Sequence, residues 1–199
     1  MAREHGRPAA SQAADLRNNI DNVIPAYVSA FKHLKGEINP AGAYSFNERD
    51  LQLVVREPIG VVAAIIAFNS PVNIFIRKVI PALIAGNAVV VKPASEAPLA
   101  VMRVADLLVE AGVAPSAISV VTGRGSDVGR WISENPGVNA ISFTGSTEVG
   151  SDIVARSSRN LTRCHLELGG NDVFIVLEDA DLDLAVEAAV AGRTPVAGQ

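Results

Sequence analysis

The sequence predicts an α/β fold, a Rossmann-like doubly wound parallel sheet, on two observations. Hydrophobic residues make up 49% of the 199 positions but aromatic residues only 5%, and such aliphatic content is typical of strands buried between two helical layers. From Ile59 onward, short apolar runs alternate with segments of helical periodicity. Strand–helix repetition of this kind implies right-handed crossovers, which place helices on both faces of one sheet.

The predicted elements follow in chain order. Residues 10 to about 34 form one amphipathic helix, which Pro25 is expected to kink or split. Residues 37–57 contain a turn and a polar extended stretch, and they predict a β-excursion with an exposed edge that can pair with a partner. Further strands are predicted at 61–67, 88–92, 118–121, 140–143, 163–168 and 173–177. Helices are predicted at 73–85, 98–111, 126–134, 146–157 and 182–191.

Charge and cysteine content exclude several classes of function. The formal net charge of −4 gives no basic patch for nucleic acid or an anionic membrane, so neither is an expected partner. A single cysteine excludes a disulfide framework and a cysteine-based metal site, and no metal is expected. The N-terminus lacks the apolar stretch of a signal peptide, and apolar runs such as 61–68 are too short to span a bilayer. We therefore expect a soluble cytoplasmic protein.

The stretch 140–150 has the composition of a strand–helix corner that can bind a ligand. A short, mostly apolar run leads through Gly145 into a helix that Ser146 or Thr147 can cap. A helix N-terminus offers free N–H groups and the positive end of the helix dipole, which suit a phosphate group. Gly145 has no side chain to block a close ligand. An ordinary strand–helix corner with a good cap explains the same residues equally well.

Side chains able to carry chemistry follow the other predicted strands, at the edge where ligands bind in doubly wound sheets. Asn69 follows the first strand, Lys92 the second, and the glycine-containing loop 123–129 the third. With Glu167 they form a dinucleotide-type constellation beside candidate catalytic groups. Each also has a plainer explanation. Lys92 can be a solvated lysine and Asn69 a turn residue, and the glycine spacing differs from GxGxxG.

Glu167 and Cys164 are separated by the alternation of side chains along a strand. Glu167 lies between two leucines at the end of a strand predicted to be buried, and burial raises the pKa of a carboxyl group toward the range of a general base. With a period of two, Cys164, Leu166 and Leu168 share one face, while His165 and Glu167 share the other. We therefore predict Cys164 as a small core residue and assign no role to His165.

From Glu57 to Leu182 the chain resembles the NAD(P)-dependent aldehyde dehydrogenase superfamily. Five motifs match in order and spacing: Phe68-Asn-Ser-Pro71, Val91-Lys-Pro-Ala-Ser95, Phe143-Thr-Gly-Ser-Thr-Glu-Val-Gly150, Leu166-Glu-Leu-Gly-Gly170 and Glu178-Asp-Ala-Asp-Leu182. The resemblance implies that the whole enzyme oxidises a small aldehyde to a carboxylic acid, with NAD or NADP as cofactor.

The same resemblance implies a role for each matching residue. Glu167 is expected to be the general base that activates water, and the side-chain amide of Asn69 to be part of an oxyanion hole. Lys92 is expected to bind the adenine ribose. Ser95 stands where NAD-preferring members usually carry Glu, and this implies that NADP is accepted at least as well as NAD. The remaining expected cofactor contacts are Gly145 and Ser146 at the pyrophosphate, and Ile65, Ile66, Ala67, Phe68, Gly125, Gly129, Phe143, Val149 and Leu168.

The resemblance also divides the chain. Residues 1–35 correspond to an N-terminal helical segment of the cofactor domain, and 36–57 to a bridging hairpin whose residues 37–57 join subunits into a homo-oligomer. Residues 58–192 correspond to the NAD(P)-binding domain and 193–199 to the start of a catalytic domain.

The position of the nucleophile sets a further expectation. The family's nucleophilic cysteine follows a Gly-Gln pair with one residue between, and this sequence ends at Gly198-Gln199. We therefore expect a truncated cofactor-binding portion that lacks the catalytic domain and is inactive alone. A non-catalytic nucleotide-binding or interaction module and a pseudoenzyme remnant are the alternatives.

Overall fold

Two helices joined by a π-helical turn lie near the N-terminal end of the described residues. The computed structural model describes residue 4, residues 6–39 and residues 51–194. Helix α1 (Ala9–Asn18) continues through the π turn Asn19–Val23 into helix α2 (Ile24–Lys32). Pro25 is the second residue of α2, where its missing N–H group is tolerated. The expected interruption therefore lies immediately before Pro25, as one widened helical turn.

A two-stranded antiparallel ribbon follows, formed by strand β1 (Glu37–Asn39) and strand β2 (Gln52–Val54). Ile38 pairs with Leu53, and both side chains are exposed. The ribbon occupies the position of the predicted β-excursion. Residues 40–50 of that excursion lie outside the described residues, as do residues 195–199 at the other end of the chain. The role of the ribbon in joining subunits stays a prediction.

The remaining strands form one parallel sheet. They are β3 (Val61–Ile65), β4 (Ala88–Lys92), β5 (Ile118–Val120), β6 (Ala140–Thr144) and β7 (Arg163–Glu167). Their spatial order is β5-β4-β3-β6-β7, and every neighbouring pair is parallel. The order reverses between β3 and β6, and ligands of open α/β sheets bind in the crevice at such a reversal. All the strands predicted in this region except the last are confirmed.

Helices cover both faces of the sheet and divide the core into two layers. They are α3 (Pro71–Ile84), α4 (Leu99–Glu110), α5 (Arg130–Glu134) and α6 (Thr147–Ser157). On one face, α3 and α4 pack side chains such as Phe75 against Ala64. On the other, α5 and α6 pack side chains such as Ile153 against Ala63. Consecutive residues of β3 thus face opposite layers, as strand geometry requires, and the doubly wound fold is confirmed.

The prediction of a last strand at 173–177 is wrong. These residues form no strand, and the side chains of Val173 and Ile175 are 78% and 75% exposed. An apolar stretch forms a strand only where a neighbouring strand satisfies its backbone groups. Strand β7 is at the edge of the sheet, and no described strand lies beyond it to pair with this segment. The segment therefore leads, exposed and without regular secondary structure, to helix α7 (Leu182–Arg193).

Candidate cofactor and catalytic site

Two adjoining cavities lie at the carboxyl ends of β3 and β6, where the strand order reverses. The first cavity has a volume of about 470 Å³ and the second of about 570 Å³. The first is lined by Ile65, Ile66, Lys92, Ser95, Gly125 and Gly129, the second by Ala67, Phe68, Asn69, Gly145, Ser146, Glu167 and Leu168, and both by Phe143 and Val149. The structure thus brings every site residue predicted from the sequence into one of these two cavities.

The loop between β6 and α6 forms one wall of the second cavity. Ser146 caps α6, because its Oγ accepts a hydrogen bond of 3.3 Å from the Val149 N–H, and this predicted cap is confirmed. The Gly145 N–H donates to the Glu167 carbonyl oxygen at 3.1 Å, which ties the loop to β7. A Cβ atom at position 145 would collide with the ring of Phe143, so packing requires a glycine here. The first turn of α6 therefore meets the cavity without a side chain at position 145 in the way.

Lys92, the last residue of β4, is only 4% exposed. Its Nζ donates a hydrogen bond of 3.0 Å to the carbonyl oxygen of Pro93. Burial lowers the pKa of Lys92, and the nearby Glu96 carboxylate partly opposes this effect. The simpler explanation, a solvated lysine at a strand end, is wrong. The ammonium group forms part of the wall of the first cavity, where it retains N–H donors for a ligand.

Asn69 follows β3 and carries an unsatisfied polar group. Its Oδ1 atom is buried and has no hydrogen-bond partner among the described residues. A half-turn of the terminal torsion exchanges the amide oxygen and nitrogen, so either group can be offered at this place. The neighbouring Ser70 is held by Arg7, whose Nη1 donates to Ser70 Oγ at 3.2 Å. A buried amide oxygen without a partner, on an anchored loop at the edge of a cavity, is an atom that a ligand can satisfy.

Glu167 lies at the end of β7, and the prediction that it is buried is wrong. The Glu167 side chain is 65% exposed and the His165 side chain is 74% exposed. His165 Nε2 lies 3.7 Å from Glu167 Oε1. Strand β7 is at the edge of the sheet, and no described element covers the face that carries these two side chains. The desolvation expected from the flanking leucines is therefore missing in the described structure. The carboxylate nevertheless lines the second cavity together with Asn69.

Cys164 occupies the opposite face of β7, as predicted. It is half-buried, and with Leu166 it packs against the core layer that contains Phe143 and Ile153. Its Sγ atom lies 3.2 Å from Ser157 Oγ. The thiol group therefore belongs to the packing between β7 and α6, and it does not line either cavity.

Sequence reasoning missed Lys78, which lines a third cavity of about 660 Å³ together with Asn69 and Glu167. Lys78 is buried in α3, and its Nζ donates a hydrogen bond of 2.9 Å to Ser142 Oγ. Burial lowers the pKa of Lys78, while Glu167 acts in the opposite direction. One signal was available in the sequence, since Lys78 lies three residues after Phe75 and so falls on the apolar face of the predicted helix.

The groups around the first two cavities suit a dinucleotide. Lys92 supplies a cation, and α6 supplies an N-terminus for a phosphate. A Cβ atom at Gly125 or Gly129 would meet no atom within 4 Å, so both glycines leave open space beside the first cavity. Within the described ranges, no group of three or more His, Cys, Asp or Glu side chains could hold a metal ion, and no helix is long and apolar enough to cross a bilayer.

Comparison with known proteins gives consistent matches over the whole chain. The model of the aldehyde dehydrogenase family matches residues 1–199. The chain is 39% identical over 200 residues to succinate-semialdehyde dehydrogenase [NADP(+)] GabD of Escherichia coli (strain K12). This alignment covers 100% of this chain and 40% of that protein. It is 50% identical over 197 residues to 3,6-anhydro-alpha-L-galactose dehydrogenase of Streptomyces coelicolor. This second alignment covers 98% of this chain and 39% of that protein.

Solved structures agree with these sequence matches. An E. coli NADP dependent enzyme superposes with a TM-score of 0.91 at 38% identity, over 100% of this chain and 40% of that chain. Betaine aldehyde dehydrogenase from Staphylococcus aureus, solved in complex with NAD+, superposes with a TM-score of 0.89 at 33% identity, over 96% of this chain and 37% of that chain. The chain thus spans about two fifths of the length of the relatives it matches. With a family model that covers all its residues, the chain belongs to the aldehyde dehydrogenase family.

Proposed function

We propose that this chain binds NAD or NADP and forms the cofactor-binding part of an enzyme that oxidises an aldehyde to a carboxylic acid. One observation carries the proposal: the residues that the motifs single out line two adjoining cavities at the reversal of strand order. We assign the adenosine half of the cofactor to the first cavity. The nicotinamide half is assigned to the second cavity, beside Asn69 and Glu167.

The residues around the first cavity bind and orient the cofactor in this proposal. Lys92 donates hydrogen bonds to the ribose hydroxyl groups from the end of β4. Gly145 and Ser146 receive the pyrophosphate at the N-terminus of α6, where the helix dipole favours negative charge. Gly125 and Gly129 leave room for the adenine end. The bound cofactor supplies the hydride acceptor for aldehyde oxidation.

The residues around the second cavity act at the aldehyde end. The Asn69 amide donates a hydrogen bond to the substrate oxygen as negative charge develops on it, which stabilises the transition state. Glu167 accepts a proton from a water molecule and so makes that water a better nucleophile. The two side chains come from the ends of different strands, β3 and β7, and line the same cavity. Water reaches the Glu167 carboxylate directly, because that carboxylate is exposed.

Assembly and location are part of the proposal. We infer that copies of the chain associate through residues 37–57. The ribbon of β1 and β2 exposes Ile38 and Leu53, and its edges offer backbone groups to another strand. We also propose a cytoplasmic location, where a reducing environment would keep the free thiol of Cys164 unmodified.

A binding experiment tests the proposed function. Isothermal titration of NADP+ and NAD+ into the purified chain should show one site for each nucleotide. Lys92→Met should weaken binding at least about tenfold, because a buried cation that faces the ribose is lost. Lys32→Met, which replaces an exposed lysine at the end of α2, should leave the affinity unchanged. A wild-type chain that binds neither nucleotide overturns the proposal.

One observation favours a second candidate, a nucleotide-binding module without catalysis. The single cysteine in this sequence packs into the core layer, away from both cavities. The 199 residues then offer a general base and an oxyanion donor without a cysteine nucleophile beside them. Because neither candidate predicts turnover by these 199 residues, the chain joined to the catalytic domain of a relative separates the two: NAD(P)H formation that is lost in Glu167→Gln favours the enzyme, and no turnover favours the module.

A further inference from the structure

We propose that Arg7 is a positioning residue, which acts through Ser70 to hold the Asn69 amide at the edge of the second cavity. Asn69 lies in the loop of residues 66–70, which joins β3 to α3. The inference rests on the proposed function, because that function assigns the Asn69 amide as the donor to the substrate oxygen. Such a donor stabilises a transition state only if it is held in place before the reaction.

The oxygen of the Asn69 amide has no hydrogen bond to fix it. Its Oδ1 atom is buried and meets no partner among the described residues. The main chain is fixed on both sides of Asn69. The Ile66 N–H group donates to the Lys92 carbonyl oxygen at 2.9 Å, and the Ile74 N–H group donates to the Ser70 carbonyl oxygen at 2.9 Å. The direction of the amide therefore depends on how firmly the flanking residues, and above all Ser70, are held.

The hydroxyl group of Ser70 contacts a distant part of the chain. Ser70 is the N-cap residue of α3, a position where a serine commonly accepts a hydrogen bond from the first turn of its helix. In α3 this side-chain cap is not formed. Ser70 Oγ instead accepts a hydrogen bond of 3.2 Å from Nη1 of Arg7, which lies 63 positions earlier. A side chain suited to a local cap thus ties the neighbour of Asn69 to the N-terminal segment.

The Arg7 side chain is itself held by helix α1. It is only 10% exposed, and its Nη1 lies 2.9 Å from Asp15 Oδ2. Its Nη2 donates to Ser11 Oγ at 3.3 Å, and the Gln12 amide donates to the Arg7 carbonyl oxygen at 2.7 Å. A planar guanidinium group can engage several acceptors at once from one fixed position. Arg7 therefore connects α1 rigidly to the loop that carries Asn69.

The segment before Arg7 is anchored as well. The Glu4 carboxylate accepts hydrogen bonds from the N–H groups of Leu99 and Ala100, at 2.6 and 3.0 Å. These groups lie at the N-terminus of α4, where the helix dipole favours a negative charge. Arg7 is thus located between an anchor on α4 and an anchor on α1. The N-terminal segment can therefore transmit the rigidity of two helices to the Asn69 loop.

Nuclear magnetic resonance of the side-chain amides tests this inference without any need for turnover. The Asn69 signal is identified by its absence in Asn69→Asp, and ¹⁵N relaxation gives its order parameter. The wild-type amide should be rigid, with an order parameter of about 0.85, and Ser70→Ala and Arg7→Met should each lower it below about 0.6. Ser70→Thr keeps the hydroxyl group and should keep the wild-type value.

The Asn87 amide is an internal reference that separates positioning from general stability. Its hydrogen bonds to Ile59, Gly60 and Ala82 lie away from Arg7, so its order parameter should stay unchanged in every variant. Arg17→Met is the matched control, because Arg17 is an exposed arginine in the last turn of α1. It should leave both amides unchanged. If Arg7→Met does not fold, Ser70→Ala decides alone, since it leaves the Arg7–Asp15 ion pair in place.

The outcomes keep the inference separate from the proposed function. An Asn69 amide that stays rigid in Ser70→Ala overturns the inference and leaves the proposed function intact. Equal loosening of the Asn69 and Asn87 amides also overturns it, because the contact then serves only general stability. Titration of NAD+ and NADP+ into the same wild-type sample tests the proposed function. A wild-type chain that binds neither nucleotide overturns both.

Discussion

The ammonium nitrogen of Lys78 lies 2.9 Å from the hydroxyl oxygen of Ser142, and this hydrogen bond joins helix α3 to strand β6 next to the carboxyl edge of the sheet. Lys78 is buried, and the Glu167 carboxylate that favours its charged form is exposed. On folding, the cation loses its water and recovers only part of the lost solvation from one hydroxyl group and one carboxylate. A charged Lys78 therefore destabilises the folded chain.

The first prediction is that stability rises with pH in the alkaline range. Burial lowers the pKa of Lys78 below its unfolded value, so between the two pKa values the unfolded chain binds more protons than the folded chain. The free energy of unfolding then increases as pH rises through this window. Urea denaturation between about pH 7 and about pH 10 should show this increase in the wild type and a smaller increase in Lys78→Met.

Two further variants complete this test. Burial also lowers the pKa of Lys92, so Lys92→Met should reduce the pH dependence in the same direction. Lys32→Met replaces an exposed lysine and should keep the wild-type pH dependence. If Lys78→Met shows the full rise of the wild type, desolvation of Lys78 is not its source.

The second prediction concerns Gly145. A Cβ atom at this position would collide with the Phe143 ring, which lines both cavities. Gly145→Ala should therefore displace the ring, at a cost of about 1–3 kcal/mol in the free energy of unfolding, and weaken NADP+ binding at least about tenfold. Gly169→Ala is the control, because Gly169 lines the second cavity but its Cβ would meet no atom within 4 Å. Equal affinities of the two variants would contradict the packing argument.

The third prediction concerns Asn87, which anchors the start of β3. Asn87 Oδ1 accepts hydrogen bonds from the N–H groups of Ile59 and Gly60, at 2.7 and 3.0 Å, and its Nδ2 donates to the Ala82 carbonyl oxygen at 3.1 Å. Asn87→Ala should lower the free energy of unfolding by about 2 kcal/mol or more, because three part-buried hydrogen bonds are lost and each contributes about 0.5–1.5 kcal/mol.

Asn22→Ala is a suitable control for Asn87→Ala. The Asn22 side chain is exposed and donates only to Asn18 Oδ1, at 3.0 Å. Its removal should change the free energy of unfolding by less than about 0.5 kcal/mol. Urea denaturation measures both variants, and losses of similar size in the two would refute a special role for Asn87.

Local patterns were sufficient to predict the sheet and its binding edge. The strand at 61–65 was predictable because Gly60 precedes this apolar run and a segment of helical period follows it. The Ser146 cap was predictable because its hydroxyl group bonds to an N–H only three residues away. Features of this kind depend on neighbours in sequence, so one chain without relatives suffices to find them.

Features set by distant parts of the chain were not predictable in the same way. Glu167 was expected to be buried and the segment 173–177 to form a strand, because their neighbours are apolar. Strand β7 is instead at the sheet edge, and the spatial order of the strands decides that. The bond from Ser95 to Gly123 spans 28 residues, and that from Lys78 to Ser142 spans 64. Such pairs become visible only when the strands are placed side by side.

The final prediction is that the 199-residue chain binds NADP+ but does not oxidise aldehydes. Covalent aldehyde oxidation needs a thiolate that can reach the substrate. The Cys164 thiol group packs between β7 and α6, 3.2 Å from Ser157 Oγ, while Glu167 on the same strand faces the cavities. Glu167 can take a proton from water but cannot replace a sulfur nucleophile. No NAD(P)H should therefore form with several aldehydes, under conditions in which cofactor binding is measured on the same sample.

Cys164→Ser tests whether the thiol group faces away from both cavities. The substitution keeps a small side chain next to Ser157 and should leave NADP+ affinity within about twofold of the wild-type value, because Cys164 lines neither cavity. Turnover by the wild-type chain that disappears in Cys164→Ser would show that the thiol group reaches the substrate after all. Turnover that survives Cys164→Ser but is lost in Glu167→Gln would instead point to hydration of the aldehyde by the activated water, without a covalent intermediate.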